Sequence, residues 1–265
     1  MLVISIQSQV VHGYVGNSAA VFPMQAMGIT VAAIPTVLFS NHPHYPTFHG
    51  DVLDDGLVRS LLCGVEERGL VDQAAVLLTG YLGTPSIAAI VANFVDRSLK
   101  RNPKLIYVCD PVMGDDDLGV FVPDGMLEAF QYQLAPAATV LTPNQYELEL
   151  LSGFAARSPE GLTEATRRLR SAGTQMIVAT GCTLSDTPSD TVETILCTSE
   201  GLDRTSTPRL PIRPCGTGDL LSALIAGHLA KGSQIESAVH SAVAETFTIL
   251  QKTQAADSEE MILFG

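Results

Sequence analysis

The chain has 265 residues, 46% of them hydrophobic and 16% charged, which is enough apolar material for a continuous core and too little charge for disorder. Its 28 acidic residues against 15 basic ones give a net charge of −13. That balance argues against nucleic acid or an anionic membrane as partner, because phosphate backbones recruit Lys and Arg. A nucleotide bound by so acidic a chain needs metal ions and backbone dipoles to neutralise it.

In chain order, strands are expected over residues 2–6 and 29–39, with a helix over 17–27 between them, opened by Asn17 and stopped by Gly28. Residues 1–50 contain no Asp, Glu, Lys or Arg, and 19–39 is largely apolar. Pro23, Gly28 and Pro35 interrupt that run and no basic flank precedes it, so it reads as a buried strand–helix–strand unit rather than a membrane span or signal peptide. Helix 53–68, strand 74–78, helix 85–101, strand 105–109, helix 123–134, strand 139–141 and helix 144–152 follow. Ser158-Pro159 opens a helix over 159–172, strands lie at 176–179 and 192–197, and helices 217–230 and 234–252 close the chain. The stretch 181–190, rich in Ser, Thr, Asp and Pro, reads as a surface loop.

Apolar strands alternating with helices predict one domain over 1–265: an α/β, three-layer α/β/α fold with a mostly parallel, doubly wound sheet. Ligands in such folds bind beyond the carboxyl ends of the strands. Ser8, Tyr81, Asp110, Asn144 and Thr180 are expected there. The five cysteines, Cys63, Cys109, Cys182, Cys197 and Cys215, form no C-x-x-C pair and read as reduced thiols of a cytoplasmic protein.

Three segments carry chemistry. In Pro214-Cys215-Gly216-Thr217-Gly218-Asp219, two glycines let consecutive N–H groups face one concavity, and the helix that follows adds its positive end. A phosphoryl group in transit needs such a cradle, and Asp219 at its rim could take the proton of an attacking hydroxyl. The same string is also an ordinary Gly-rich turn with an acid in the first helical turn, and a helix N-terminus is expected to keep that carboxyl's pKa low. The second segment is Asp110-Pro111-Val112-Met113-Gly114-Asp115, whose two carboxylates could attract a hydrated cation or simply cap a loop. The third is Thr142-Pro143-Asn144-Gln145-Tyr146-Glu147, either phosphate and metal contacts or a helix cap. Three such segments, each after a strand, favour a kinase. Four of the six histidines, His12, His42, His44 and His49, lie in the first fifty residues. They show no H-x-x-x-H and no cysteine at ligand spacing, which argues against zinc.

The string Ser5-Ile6-Gln7-Ser8-Gln9-Val10-Val11-His12-Gly13-Tyr14-Val15-Gly16-Asn17 closely resembles the opening of pyridoxal kinases, a branch of the ribokinase-like superfamily. Val37-Leu38-Phe39-Ser40-Asn41-His42, Leu78-Thr79-Gly80-Tyr81 and the three segments above match in the same order. The resemblance implies ATP-dependent phosphorylation of the 5′-hydroxymethyl group of pyridoxal, and of pyridoxine and pyridoxamine. It makes Asp219 the base and Gly216, Thr217 and Gly218 the anion hole. Asp110, Asp115 and Glu147 hold Mg2+, with a monovalent K+ or Na+ aided by Thr180. Asp110, Thr142, Asn144, Glu147, Thr180 and Thr217 then lie on the nucleotide side. Ser8 bonds the pyridine edge, while Val37, Phe39, His42 and Tyr81 line the pocket. A flap over 115–123 and a cytoplasmic homodimer are also implied. Pro43 stands where many members carry Thr, and Gln9 where His is usual. The nearest rival is a hydroxymethylpyrimidine kinase, against which the N-terminal string speaks. A non-catalytic vitamer-binding protein has no need of Asp219, and a dinucleotide oxidoreductase would carry G-x-G-x-x-G after the first strand.

Overall fold

The computed structural model describes residues 1–264. The chain opens on β1 (Leu2–Val10), crosses through α1 (Asn17–Ala26) to β2 (Thr30–Phe39) and turns back as the short β3 (Gly50–Val52). Helices α2 (Asp55–Glu67) and α3 (Leu70–Gln73) lead to β4 (Ala74–Thr79), and α4 (Pro85–Arg101) leads to β5 (Ile106–Cys109). A small hairpin, β6 (Gly114–Asp115) and β7 (Gly119–Val120), precedes α5 (Met126–Ala129), a π-helical turn (Phe130–Leu134) and α6 (Ala135–Ala137). Then come β8 (Val140–Leu141), α7 (Gln145–Ser152), α8 (Pro159–Ala172), β9 (Met176–Cys182), β10 (Thr191–Cys197) and β11 (Leu202–Pro208). Helices α9 (Thr217–Ala230) and α10 (Ile235–Ala255) finish the fold.

Several starts are fixed by side chains that accept the orphan amides of the first turn. Asp54 accepts from Gly56 and Leu57 at α2, Thr84 from Ile87 at α4 and Ser158 from Gly161 at α8. The last two are each followed by proline, whose missing N–H costs nothing at the first helical position.

One nine-stranded sheet runs in the order β11-β10-β9-β8-β5-β4-β1-β2-β3. From β9 to β2 every neighbouring pair is parallel. Successive residues of the inner strands bury opposite ways: Val3 packs with α1, α9 and α10, whereas Ile4 packs with α2 and α4. Both faces are therefore covered, as parallel strands require. The expected three layers form, and residues 19–39 supply the helix and second strand of the strand–helix–strand unit β1-α1-β2. Strand order reverses at β1, which pairs with β2 on one side and β4 on the other. A cleft opens at such a reversal, beyond the strands' carboxyl ends.

Three departures from the expected elements have local causes. The segment 192–197 was read among parallel strands, but β10 runs antiparallel to β9, because the connection over 183–190 is too short for a crossover. β11 has no apolar run to announce it: Leu-Asp-Arg-Thr-Ser-Thr-Pro is a polar edge strand fixed by pairing with β10. Ser8 and Thr180 lie inside β1 and β9 rather than after them. At Ser8 the β1–β2 register slips, so that Thr36 and Val37 together oppose one residue just beyond Pro35. Proline cannot donate to a ladder, and a bulge is where an inner strand tolerates it.

Candidate active site

Helix α9 is buried on nearly every side, from Leu220 through Gly227. Held so, it fixes the loop that precedes it. Gly216 has φ 80°, a left-handed conformation natural to glycine, and a Cβ there would overlap the carbonyl oxygen of Tyr14. Residues 13–16 and 216–218 are therefore seated directly on each other. Thr217 begins the helix with its Oγ1 donating to the Pro214 carbonyl at 3.0 Å, leaving the opening amides of α9 facing the cleft.

Asp219 follows in the first turn, half-buried. Burial lifts its pKa from 3.8 to about 6, against the pull of the Gly16 N–H, which donates to it. The helix N-terminus alone would hold this carboxyl low. Desolvation wins because it can move a carboxyl by several units, whereas a helix end contributes about 0.3–1 kcal/mol, under one unit. Gly16 also touches Ser8: a Cβ on Gly16 would overlap the Ser8 hydroxyl and carbonyl. Ser8, Gly16 and Asp219 thus form one continuous wall.

Behind Asp219 lie two buried carboxyls. Asp110, 4% exposed, ends β5 and accepts from Ser222 Oγ at 2.8 Å, and Ser222 Oγ is also 2.8 Å from Thr142 Oγ1. Burial, then the charges of Glu147 and Asp219, push Asp110 well above the usual carboxylate range, with the Ser222 bond pulling back. Glu147, 3% exposed, accepts from the Met113 amide at 2.9 Å and the Asn144 amide at 2.9 Å. Asn144 completes a capping box by accepting from the Glu147 amide, and its Nδ2 donates to the Gly114 carbonyl at 2.8 Å, tying α7 to the hairpin. Burial raises Glu147 to about 8, partly offset by those amides. Among the described residues no arginine or lysine opposes the shifts of Asp110 and Asp219. Buried oxygen donors without a cationic partner are the donor set of a hard divalent ion, so the chemistry of the site fits one.

The remaining expected residues divide. Asp115 spends its Oδ1 on the Asp117 and Leu118 amides, at 2.9 and 2.7 Å, shaping the β6–β7 hairpin. Thr142 is buried in the Ser222 network beneath the cleft, and Thr180 bridges to Asn144 across β9. On the other side, Thr36 Oγ1 donates to the Tyr81 carbonyl at 2.8 Å, joining the bulge to the loop after β4. Val37 is buried beside Gly83, Phe39 stacks edge-on with Phe48 at 5.3 Å, and burial raises the Tyr81 hydroxyl.

His42 reaches its neighbours through a residue the sequence argument passed over. Its Nε2 lies 3.0 Å from Glu260 Oε1, which also accepts from Tyr45 at 2.8 Å, while Glu260 Oε2 accepts from the Tyr14 amide at 3.2 Å. Burial acts to raise Glu260, but the Tyr45 and His42 bonds prevail and hold it below its ordinary value. Ser222 was missed too, being one more small residue in an apolar helix. Glu260 lies in a tail with no periodic pattern, and no local signal marks it.

A glycine turn at the mouth of a buried helix, a carboxyl that burial lifts to about 6 beside it and buried oxygen donors behind, at the reversal of a doubly wound sheet, are the arrangement of a ribokinase-like small-molecule kinase. A family model described as Phosphomethylpyrimidine kinase matches residues 69–260. Pyridoxal kinase PdxY of Rubrobacter xylanophilus is 38% identical over 98% of this chain and 90% of its own length. The pyridoxal kinase of Leishmania donovani, solved with ADP and ginkgotoxin, superposes with TM-score 0.90 at 30% identity, covering 100% of this chain and 93% of that one. A putative phosphomethylpyrimidine kinase of Bacteroides thetaiotaomicron gives TM-score 0.88 at 26% identity, over 99% and 91%. The chain belongs to the pyridoxal kinase family. Among the described residues no helix is long and apolar enough to cross a membrane.

Proposed function

We propose that the chain transfers the γ-phosphoryl group of ATP to the 5′-hydroxymethyl group of pyridoxal, and of pyridoxine and pyridoxamine, with Asp219 as general base. The observation that carries this is the placement of Asp219 between the Gly216–Gly218 cradle and the Ser8 wall, with a pKa of about 6. At pH 7 such a carboxylate is mostly ionised and accepts the proton as the alcohol oxygen attacks phosphorus. The cradle amides receive the equatorial oxygens, and ADP leaves on the Asp110 and Glu147 side. Asp110 and Glu147 would hold Mg2+, which when bound would supply the charge neutralisation the phosphates need. Asn144, Thr180 and Thr217 border the nucleotide, and K+ or Na+ fits the same oxygen-rich edge. Ser8 faces the ring nitrogen side, while Val37, Phe39, His42 and Tyr81 enclose the ring.

Asp219→Asn is expected to lower kcat by about 10²–10⁴-fold while leaving KM for pyridoxal little changed. A near-wild-type kcat refutes the base assignment. Because the matching family model and one structural neighbour are described as phosphomethylpyrimidine kinases, the rival alcohol is hydroxymethylpyrimidine. Initial rates with the two alcohols at equal concentration decide; a faster reaction with the pyrimidine overturns the pyridoxal reading. A homodimer is favoured by the exposed Val11 just after β1, Leu38 of β2 and Phe48 before β3, and the cytoplasm by the five free cysteines.

A further inference from the structure

The loop after β2 and the residue before the anion cradle meet in a way neither segment announces. One ring nitrogen from each of His42 and His44 and the Cys215 sulfur all lie within 4.8 Å of one another. Cys215 Sγ is 2.9 Å from His44 Nδ1, and the His42 and His44 rings stand edge to face at 5.7 Å. Sequence spacing argued against zinc for want of a cysteine partner; folding supplies one from a position 171 residues away.

We infer that His42, His44 and Cys215 form a binding site for a soft or borderline divalent cation of the Zn2+ class, distinct from the hard-cation site at Asp110 and Glu147. Two nitrogens and a sulfur are a zinc-type donor set, which Mg2+ does not favour. A second observation points the same way. His42 Nδ1 is buried with no hydrogen-bond partner, whereas its Nε2 is held by Glu260 at 3.0 Å. A ligating histidine has this arrangement, with one nitrogen engaged by a carboxylate and the other left for the metal. Tetrahedral ligands about Zn2+ stand about 3.3–3.8 Å apart, so the Cys215–His44 pair at 2.9 Å has to open by about 0.5–1 Å and the widest separation, at most 4.8 Å, has to close by up to about 1.5 Å. His44 is exposed and on a loop, and can shift. Three protein ligands leave a fourth position open to water. A cation there would pin the β2 loop to the residue next to Gly216, bridging the substrate and phosphate sides of the cleft.

Co2+ titration of the full chain, read by thiolate-to-cobalt absorption, tests this. Wild type and Cys63→Ser should each bind one equivalent with a charge-transfer band, and about a hundredfold excess of Mg2+ should not displace it. Cys215→Ser and His44→Gln should lose the band while keeping the wild-type circular-dichroism spectrum. Absence of the band in wild type, its persistence in Cys215→Ser, or its displacement by Mg2+ would overturn the inference. The readout is independent of turnover, so it stands apart from the kinase reading.

Discussion

Stripping divalent cations should cost this protein more stability at pH 8 than at pH 5. The cause is the carboxyl trio behind the cleft. Glu147 rises from 4.5 to about 8, and Asp110 and Asp219 rise as well, burial being the largest cause in each. The folded state therefore binds more protons than the unfolded chain between each ordinary value and its raised one. Stability falls as pH climbs through that window. At about 1.4 kcal/mol per tenfold change in proton affinity, Glu147 alone costs up to about 4 kcal/mol by pH 8. For a chain of this size that is a drop in Tm of about 8–12 °C. The acids held low by arginines, such as Asp72, Asp116, Glu164 and Asp186, change charge at more acidic pH and do not confuse the window. A cation among the trio should restore most of the loss, so Mg2+ should raise Tm far more at pH 8 than at pH 5. Thermal melts with EDTA or Mg2+ across pH 5–8, with Glu147→Gln as a flattened control, give the result directly. An equal Mg2+ effect at both ends, or no slope in EDTA, would refute the reasoning.

Three further outcomes follow from particular contacts. Ser222→Ala removes a hydrogen bond that lowers Asp110 and leaves Thr142 Oγ1 to its long 3.4 Å bond with the Cys109 carbonyl, so it should cost about 1–2 kcal/mol and raise the Mg2+ requirement of the reaction about 3–10-fold, read from rate against free Mg2+. Gly216→Ala forces a side chain into the Tyr14 carbonyl at φ 80°, and should cut kcat about 10–100-fold with a lowered Tm; a normal rate and melt would contradict the seating of the two loops. Arg204→Ala leaves Glu193, 4% exposed, without its paired guanidinium, and should lower stability by about 1–3 kcal/mol while kcat below the melt stays unchanged, since β10 and β11 lie at the far edge of the sheet.

Much of this was legible in the sequence wherever a residue acts through its immediate neighbours. Gly216 and Gly218 imply a turn, Asn144 and Glu147 a capping box, and the apolar runs of β4 and β5 a double-faced burial. What stayed hidden depends on distant partners. The pKa of Asp219 follows from burial that no local pattern records, and the two amides that Asp115 Oδ1 accepts come from a hairpin that the short string Gly-Asp does not announce. β11 is polar, so pairing alone makes it a strand. Glu260 joins His42, Tyr45 and Tyr14 from the tail, a link that only the fold could draw.

The distribution of charge ties these points into one account. The chain carries only 15 basic side chains, and many are committed elsewhere: Arg97 to Glu66, Arg101 to Asp72, Arg157 to Asp116 and Glu149, Arg204 to Asp186 and Glu193. The cleft meanwhile holds two buried carboxyls and the half-buried Asp219, and among the described residues no arginine or lysine lowers Asp110 or Asp219. A polyphosphate entering such a cleft meets like charge unless positive charge comes with it. The main-chain amides of α9 supply a fraction of a charge, which is too little for several phosphate charges. The rest has to arrive as metal. The same acids that make the site unstable when empty of cations make it selective for a nucleotide that brings one, so metal binding and nucleotide binding are expected to be mutually dependent in this protein.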